Sequence, residues 1–136
     1  MLQPKRTKFR KFHKGRICGI RKNQYELSFG TYGIKTLSAG RLSARVLEAA
    51  RRTMTRKMKR SGQLWIRVFP DIAVSTKPAE VRMGKGKGNP DYWVTRVQAG
   101  QILFEIDGVS KDLALQAVDL AAHKIPFPTK FVVRDE

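Results

Sequence analysis

The sequence predicts an α+β sandwich, with two helices packed on one face of a mainly antiparallel sheet, and three observations predict it. Two segments, 43–61 and 110–124, carry apolar residues at helical spacing. Short runs rich in Val, Ile, Phe, Tyr and Trp surround them and are bounded by Gly, Pro and Asp-Gly, the composition of strands and turns. The order, which is strands, helix, several strands, helix, strand, lets two helices cover one sheet face.

In chain order, Ile17 to Leu37 reads as a strand or hairpin region, with Tyr25, Leu27 and Phe29 keeping a period of two. Ala39-Gly40 interrupts it. Ser43 is placed as the N-cap of a first helix that ends at Ser61-Gly62. At helical spacing Val46, Leu47, Ala50, Met54 and Met58 fall within about 120° of each other, and Arg45, Arg52, Arg56 and Lys59 cluster opposite. A charged stripe is usually the wet side of an amphipathic helix. This one is single-signed, with Glu48 as the helix's only acid, and so suits a polyanion.

Leu64 to Phe69 forms a strand closed by Pro70-Asp71, and Ile72 to Lys77 forms another. Tyr92 to Val97 and Ile102 to Ile106 read as a hairpin across Ala99-Gly100. A second helix starts from the N-cap Ser110 with Asp112 in its first turn, presents Leu113, Ala117, Leu120 and Ala121 on one face, and runs to about Lys124 before Pro126. Lys130 to Val133 completes the strands.

Charge narrows the partner class. The 136 residues carry 28 Lys plus Arg against 11 Asp plus Glu, a net of +17, with 41% apolar residues. That is enough apolar material for one compact domain, and enough like charge to call for nucleic acid first and anionic membrane second. Residues 1–60 hold 18 bases and two acids, whereas 61–136 hold ten and nine. The binding charge is therefore N-terminal. Its extreme is the arm, residues 1–16, in which Lys5, Arg6, Lys8, Arg10, Lys11, Lys14 and Arg16 surround Phe9 and Phe12 without an acid. The cations suit phosphates, and Phe9, Phe12 and Tyr32 are candidates to stack on bases. Residues 17–136 read as the single α+β domain.

That domain includes a Gly/Lys-rich projecting loop, 78–90, with Arg82, Met83, Gly84, Lys85, Gly86, Lys87 and Gly88 at its tip. Glycine at alternate positions lets backbone approach another surface closely. The loop matches no nucleotide motif, because Asn89 follows Gly88 and a strand rather than a helix comes next.

Catalytic chemistry has little to work with. One cysteine, Cys18, permits no internal disulfide and no four-cysteine zinc site, and is expected as a small core residue in a reducing compartment. His13 and His123 lack neighbours at metal-ligand spacing, and the carboxylates are scattered. No metal and no cofactor are expected. No run of about 18 apolar residues offers a membrane span, and no apolar core follows the first charges to make a secretory signal.

The residues Pro4 to Lys11, Glu48 to Arg52 with Met54-Thr55-Arg56, Trp65 to Asp71, and Lys77-Pro78 through Val81 to Gly88 resemble large-subunit ribosomal protein sixteen of the bacterial type. The likeness covers almost the whole chain, with a departure at Ile17 to Tyr25. It implies an α+β sandwich, late joining of the subunit, binding to large-subunit rRNA near the peptidyl transferase centre, and help in placing tRNA at the aminoacyl site. By the same resemblance the arm and the helix cations Arg45, Arg52, Arg56 and Lys59 bind rRNA. The loop Arg82 to Gly88 faces the tRNA, its arginine being hydroxylated in some bacterial members, and neighbouring large-subunit proteins are further partners. Gly100 to Glu105, Ala121 to Lys124 and Thr129 to Val132 resemble organelle-encoded versions. A mitochondrial matrix ribosome is therefore favoured, with bacterial cytoplasm or plastid stroma as alternatives. The alternative to the ribosomal role is a free-standing architectural nucleic-acid-binding protein.

With roughly eight phosphate contacts, RNA affinity is expected to fall about a thousandfold or more between 50 and 200 mM salt. A filter-binding salt titration checks this, and a flat response would remove the electrostatic anchor.

Overall fold

The structure, a computed structural model, describes residues 1–19 and 26–134. Nine elements follow one another: β1 (Tyr32–Thr36), β2 (Gly40–Ser43), α1 (Ala44–Lys57), β3 (Gln63–Ile66), β4 (Ile72–Thr76), β5 (Asn89–Val97), β6 (Ile102–Asp107), α2 (Lys111–Ala122) and β7 (Thr129–Val133). The α+β class is as the sequence predicts. The strands, however, divide between two antiparallel sheets rather than one, with orders β3-β6-β1-β7 and β2-β5-β4.

The expected β5–β6 hairpin does not form, and the turn itself explains why. Gln98 to Gln101 is a β-turn closed by Gln101 N–H donating to the Gln98 carbonyl at 3.3 Å, with Gly100 at φ +85° and Ala99 outside the left-handed region. Positive φ at the second central residue alone is the type II pattern, which splays strands; hairpins favour turns with positive φ at the first central residue. Gly100 N–H instead donates to the Thr36 carbonyl at 2.8 Å, and Thr36 N–H to the Gln101 carbonyl at 3.0 Å. The chain thus crosses between sheets at a corner bonded to the end of β1.

Both helix N-caps are where the sequence places them. Ser43 Oγ accepts from Val46 N–H at 3.3 Å and Ser110 Oγ from Leu113 N–H at 3.4 Å. The helices pack on each other, α1 reaching β2, β3 and β5, and α2 reaching β1 and β7. Leu47, Ala50, Met54 and Met58 meet Ala117, Val118, Ala121, Ile34, Phe104 and Ile106 in one core. On α2 the buried face is Ala114, Ala117, Val118 and Ala121, and Leu120, expected inside, is 43% exposed. At helical spacing Leu120 lies roughly 110° round the helix from the centre of that face, which turns it outward. Tyr25, expected on a period-two strand, lies outside the described residues. Phe29 is exposed and not in a strand.

What holds Phe29 there is Glu105, the one buried charged residue among the described residues. Its carboxylate accepts from Ser28 N–H at 3.1 Å, Phe29 N–H at 2.6 Å and Gly30 N–H at 2.7 Å, and it pairs with the Arg67 guanidinium. Burial pushes the Glu105 carboxyl up, but the Gly30, Ser28 and Phe29 amides and Arg67 outweigh it and hold the group below its ordinary value.

A carboxylate with a depressed folded pKa contributes stability that is complete above the unfolded value and is lost as pH falls through the folded value. Glu105→Gln is expected to cost about 3 kcal/mol or more at neutral pH. It should also remove part of the stability loss that the parent protein shows below pH 4.5, the ordinary value for this group. Denaturant melts at pH 7 and pH 3.5 check this; equal acid sensitivity in parent and variant would overturn it.

Candidate nucleic-acid interface

The arm lies against the three-stranded sheet. Arg41 and Arg96 face each other directly across β2 and β5, a like-charge pair that would repel on an open sheet. The arm's carbonyls resolve this. Arg96 Nη2 donates to the His13 carbonyl at 2.8 Å and the Lys14 carbonyl at 2.7 Å, and Arg41 Nη2 to the Lys14 carbonyl at 2.8 Å and the Gly15 carbonyl at 3.1 Å. Gly15 has φ +63°, and a Cβ there would lie 2.8 Å from Arg96 Nη2, so both conformation and space call for glycine. Further on, Gln98 Nε2 donates to the Cys18 carbonyl at 2.7 Å; Cys18 itself, expected in the core, is exposed.

With its carbonyls turned to the sheet, the arm keeps its charges outward. Lys5, Arg6, Lys8, Arg10, Lys11, Lys14 and Arg16 are all exposed. The aromatics divide. Phe9 is 69% exposed with Lys8 Nζ 5.7 Å from its ring centroid, and so is open to a base. Phe12 is half-buried and edge-on to Trp93 at 6.3 Å, and Tyr32 stacks on Phe131 at 5.7 Å. Those two rings anchor the arm and the sheet.

The α1 stripe emerges as expected, with Arg45, Arg52, Arg56 and Lys59 all exposed. Glu48 is committed within it, bonded by Arg51 at 2.6 Å and Arg52 at 2.9 Å. The Arg51 hydrogen bond, aided by Arg52 and opposed by burial, lowers the Glu48 carboxyl to about 2. Arg56, Lys59 and Arg60 join Arg51 and Arg52 around an open depression of about 490 Å³.

The helix ends earlier than Gly62 suggests. Lys59 N–H donates to the Arg56 carbonyl and Arg60 N–H to the Thr55 carbonyl, both at 3.2 Å, which is a Schellman closure. Its left-handed residues are Lys59 at φ +52° and Arg60 at φ +62°, where glycine is the usual choice. Among the described residues one other non-glycine has positive φ, Lys85 at +58° in the loop. All three are exposed cations. Left-handed backbone costs a non-glycine residue about 1–2 kcal/mol, and here three exposed cations carry it.

The loop is shorter than expected, because β5 begins at Asn89 and Pro90 sits at a bulge opposite Ser75. Gly84 and Gly86, at φ +90° and +89°, have open space around them, whereas a Cβ on Gly88 would fall 2.2 Å from the Thr76 carbonyl oxygen. The first two shape the tip and the third seals the base. Arg82, Met83, Gly84, Lys85, Gly86 and Lys87 are exposed. Loop and arm are joined: Lys11 Nζ donates to the Lys87 carbonyl at 2.8 Å, and Lys87 Nζ to the Phe12 carbonyl.

Sequence reasoning missed Arg41, Arg96, Arg51 and Arg60. The first pair was hidden with β2, too short and polar to read as a strand; the other two sit beside the stripe, where only the depression gathers them. Among the described residues no cluster of His, Cys, Asp or Glu could hold a metal ion, and no helix is long and apolar enough to cross a membrane.

The sequence has known relatives. The family model described as ribosomal protein L16p/L10e matches residues 4–132. The chain is 60% identical to the large ribosomal subunit protein uL16 of Acidiphilium cryptum over 134 residues, 98% of this chain and 97% of that protein. It is 61% identical to the protein of the same name from Gluconacetobacter diazotrophicus over 134 residues, with the same coverage. Against that of Beijerinckia indica it is 60% identical over 136 residues, 100% of this chain and 99% of that one.

Lys59→Gly is expected to raise stability by about 1 kcal/mol and to lower the salt slope of RNA binding by about one. Thermal melts and salt titrations check both, and a destabilised variant would show that Lys59 is held by packing instead.

Proposed function

Since the chain belongs to the ribosomal protein L16p/L10e family, we propose that it anchors on large-subunit rRNA through its arm and α1, and presents its Gly/Lys loop to aminoacyl-site tRNA. It is a structural constituent of the large ribosomal subunit and not an enzyme. Its place is the ribosome, in contact with rRNA and neighbouring ribosomal proteins. Family membership removes the case for a free-standing architectural protein. The mitochondrial expectation gains nothing from the comparisons, whose relatives named above are bacterial; a bacterial-type cytoplasmic ribosome is the reading that fits them.

The observation that carries the rRNA assignment is the single-signed α1 stripe ending in two left-handed cations. Phosphates neutralise such a surface, and their contacts fix position without reading sequence. Glu48, the one acid on α1, is already taken up by Arg51 and Arg52.

The loop divides its cations between two tasks. Lys87 is turned back on the Phe12 carbonyl and braces the loop against the arm. Arg82 and Lys85 point to no partner among the described residues and are the pair offered to tRNA. The site lies near the peptidyl transferase centre and the chain joins the subunit late, as the family likeness implies.

Arg82→Ala with Lys85→Ala is expected to leave the chain in salt-washed large subunits, while the salt slope of aminoacyl-site tRNA binding falls by about two. Sedimentation and filter binding on purified particles check the two halves separately. Loss of incorporation with normal tRNA binding in the surviving particles would reverse the assignment.

A further inference from the structure

Between the arm and the β4–β5 hairpin lies a cleft of about 340 Å³, within the range of about 300–1,000 Å³ typical of small-ligand sites. Ile72, Val74 and Val94 give it an apolar floor. Phe12 and Tyr92 contribute rings, and Lys14, Arg41 and Lys87 contribute cations. The mixture is selective. An inorganic anion would use the cations and leave the apolar floor wet, and an apolar segment would cover charges without pairing them.

A ligand with one flat, weakly polar face and one anionic group satisfies both halves, and a nucleotide is such a ligand. Two of the cations are already fixed in place, Arg41 by the Lys14 and Gly15 carbonyls and Lys87 by the Phe12 carbonyl. A guanidinium has five donors and an ammonium three, so each keeps N–H groups for a phosphate, and the ordering cost on binding is reduced.

We propose that this cleft seats one unpaired nucleotide of a bound RNA, the base between Phe12 and Tyr92 and the phosphate at Lys14, Arg41 and Lys87. The proposal rests on the RNA-binding reading above and adds to it a discrete single-nucleotide site. Paired bases are excluded, because a base held in a duplex cannot leave its stack to enter a cleft walled by the arm.

The test is nuclear magnetic resonance on the full-length protein with methyl labels at Ile72, Val74 and Val94. The probes are inorganic phosphate, uridine and adenosine 5′-monophosphates, a five-nucleotide single strand and an RNA duplex. Both monophosphates and the single strand are expected to shift the three methyl groups, with the single strand binding more tightly, whereas phosphate and the duplex leave them in place. Tyr92→Ala should weaken the single strand about five- to a hundredfold. It should leave the salt slope of duplex binding unchanged, since the substitution removes no charge.

Methyl shifts produced equally by phosphate, or absent with every probe while the duplex still binds, would overturn the site and leave the RNA-binding reading standing. Failure of the duplex to bind at low salt would count against that reading itself. Cross-linking of the single strand at α1 and not at Tyr92 would likewise overturn the site.

Discussion

A carboxylate with no contact to water is costly unless its oxygens are fully used, and Glu105 is such a group. Its position in the middle of β6 means that whatever satisfies it must come to the four-stranded sheet. Three consecutive amides, at residues 28, 29 and 30, and the Arg67 guanidinium do so together. Arg67 in turn lies over the Phe29 ring at 5.1 Å, and Phe29 stacks on Trp65 at 6.1 Å. The turn before β1, the strand β3 and the strand β6 are therefore closed around a single charge. Gly30 fits that closure for a steric reason: a Cβ there would come within 2.6 Å of the Ile106 carbonyl oxygen. From this point β1 runs on between β6 and β7, and the helix pair has a sheet to cover.

The second constraint is the charge that the fold has to carry. Arg41 opposite Arg96 is tolerable because the arm lays its carbonyls on the pair, and this converts a repulsion into the arm's attachment. Where no protein group compensates, the cations stay exposed: along α1, at the strained end of that helix, and at the loop tip. Repulsion and strain left in these places destabilise the free chain slightly and favour a bound polyanion, which is the physical content of a protein whose basic surface is part of a ribonucleoprotein. The reciprocal Lys11 and Lys87 contacts extend the same logic, tying arm and loop together through main-chain oxygens rather than through acids.

Local signals in the sequence were read well where the physics is local. The α1 apolar face, both serine N-caps, the positions of most strands, the Gly/Lys loop and the cationic stripe follow from periodicity, capping chemistry and composition. Misreadings fall where a distant partner decides. Gly40–Ser43 has no strand signal of its own and is a strand because β5 pairs with it. Tyr32 resembles a base-stacking ring until Phe131 is seen stacked against it.

By itself, then, the sequence determined the α+β class, the helix with one apolar and one cationic face, the basic arm, and the family, because spacing, charge and motif are properties of neighbouring residues. Tertiary structure alone decided that the strands form two sheets, that the Ala99-Gly100 turn is a corner between them, and that the arm is held by Arg41 and Arg96. These depend on which backbone groups and charges meet across 27 residues of chain for Arg41 and more than 60 for Arg96 and Thr36. Alternation of apolar residues identifies a strand's buried face, but the hydrogen-bond partner on either edge is chosen only when the whole core closes.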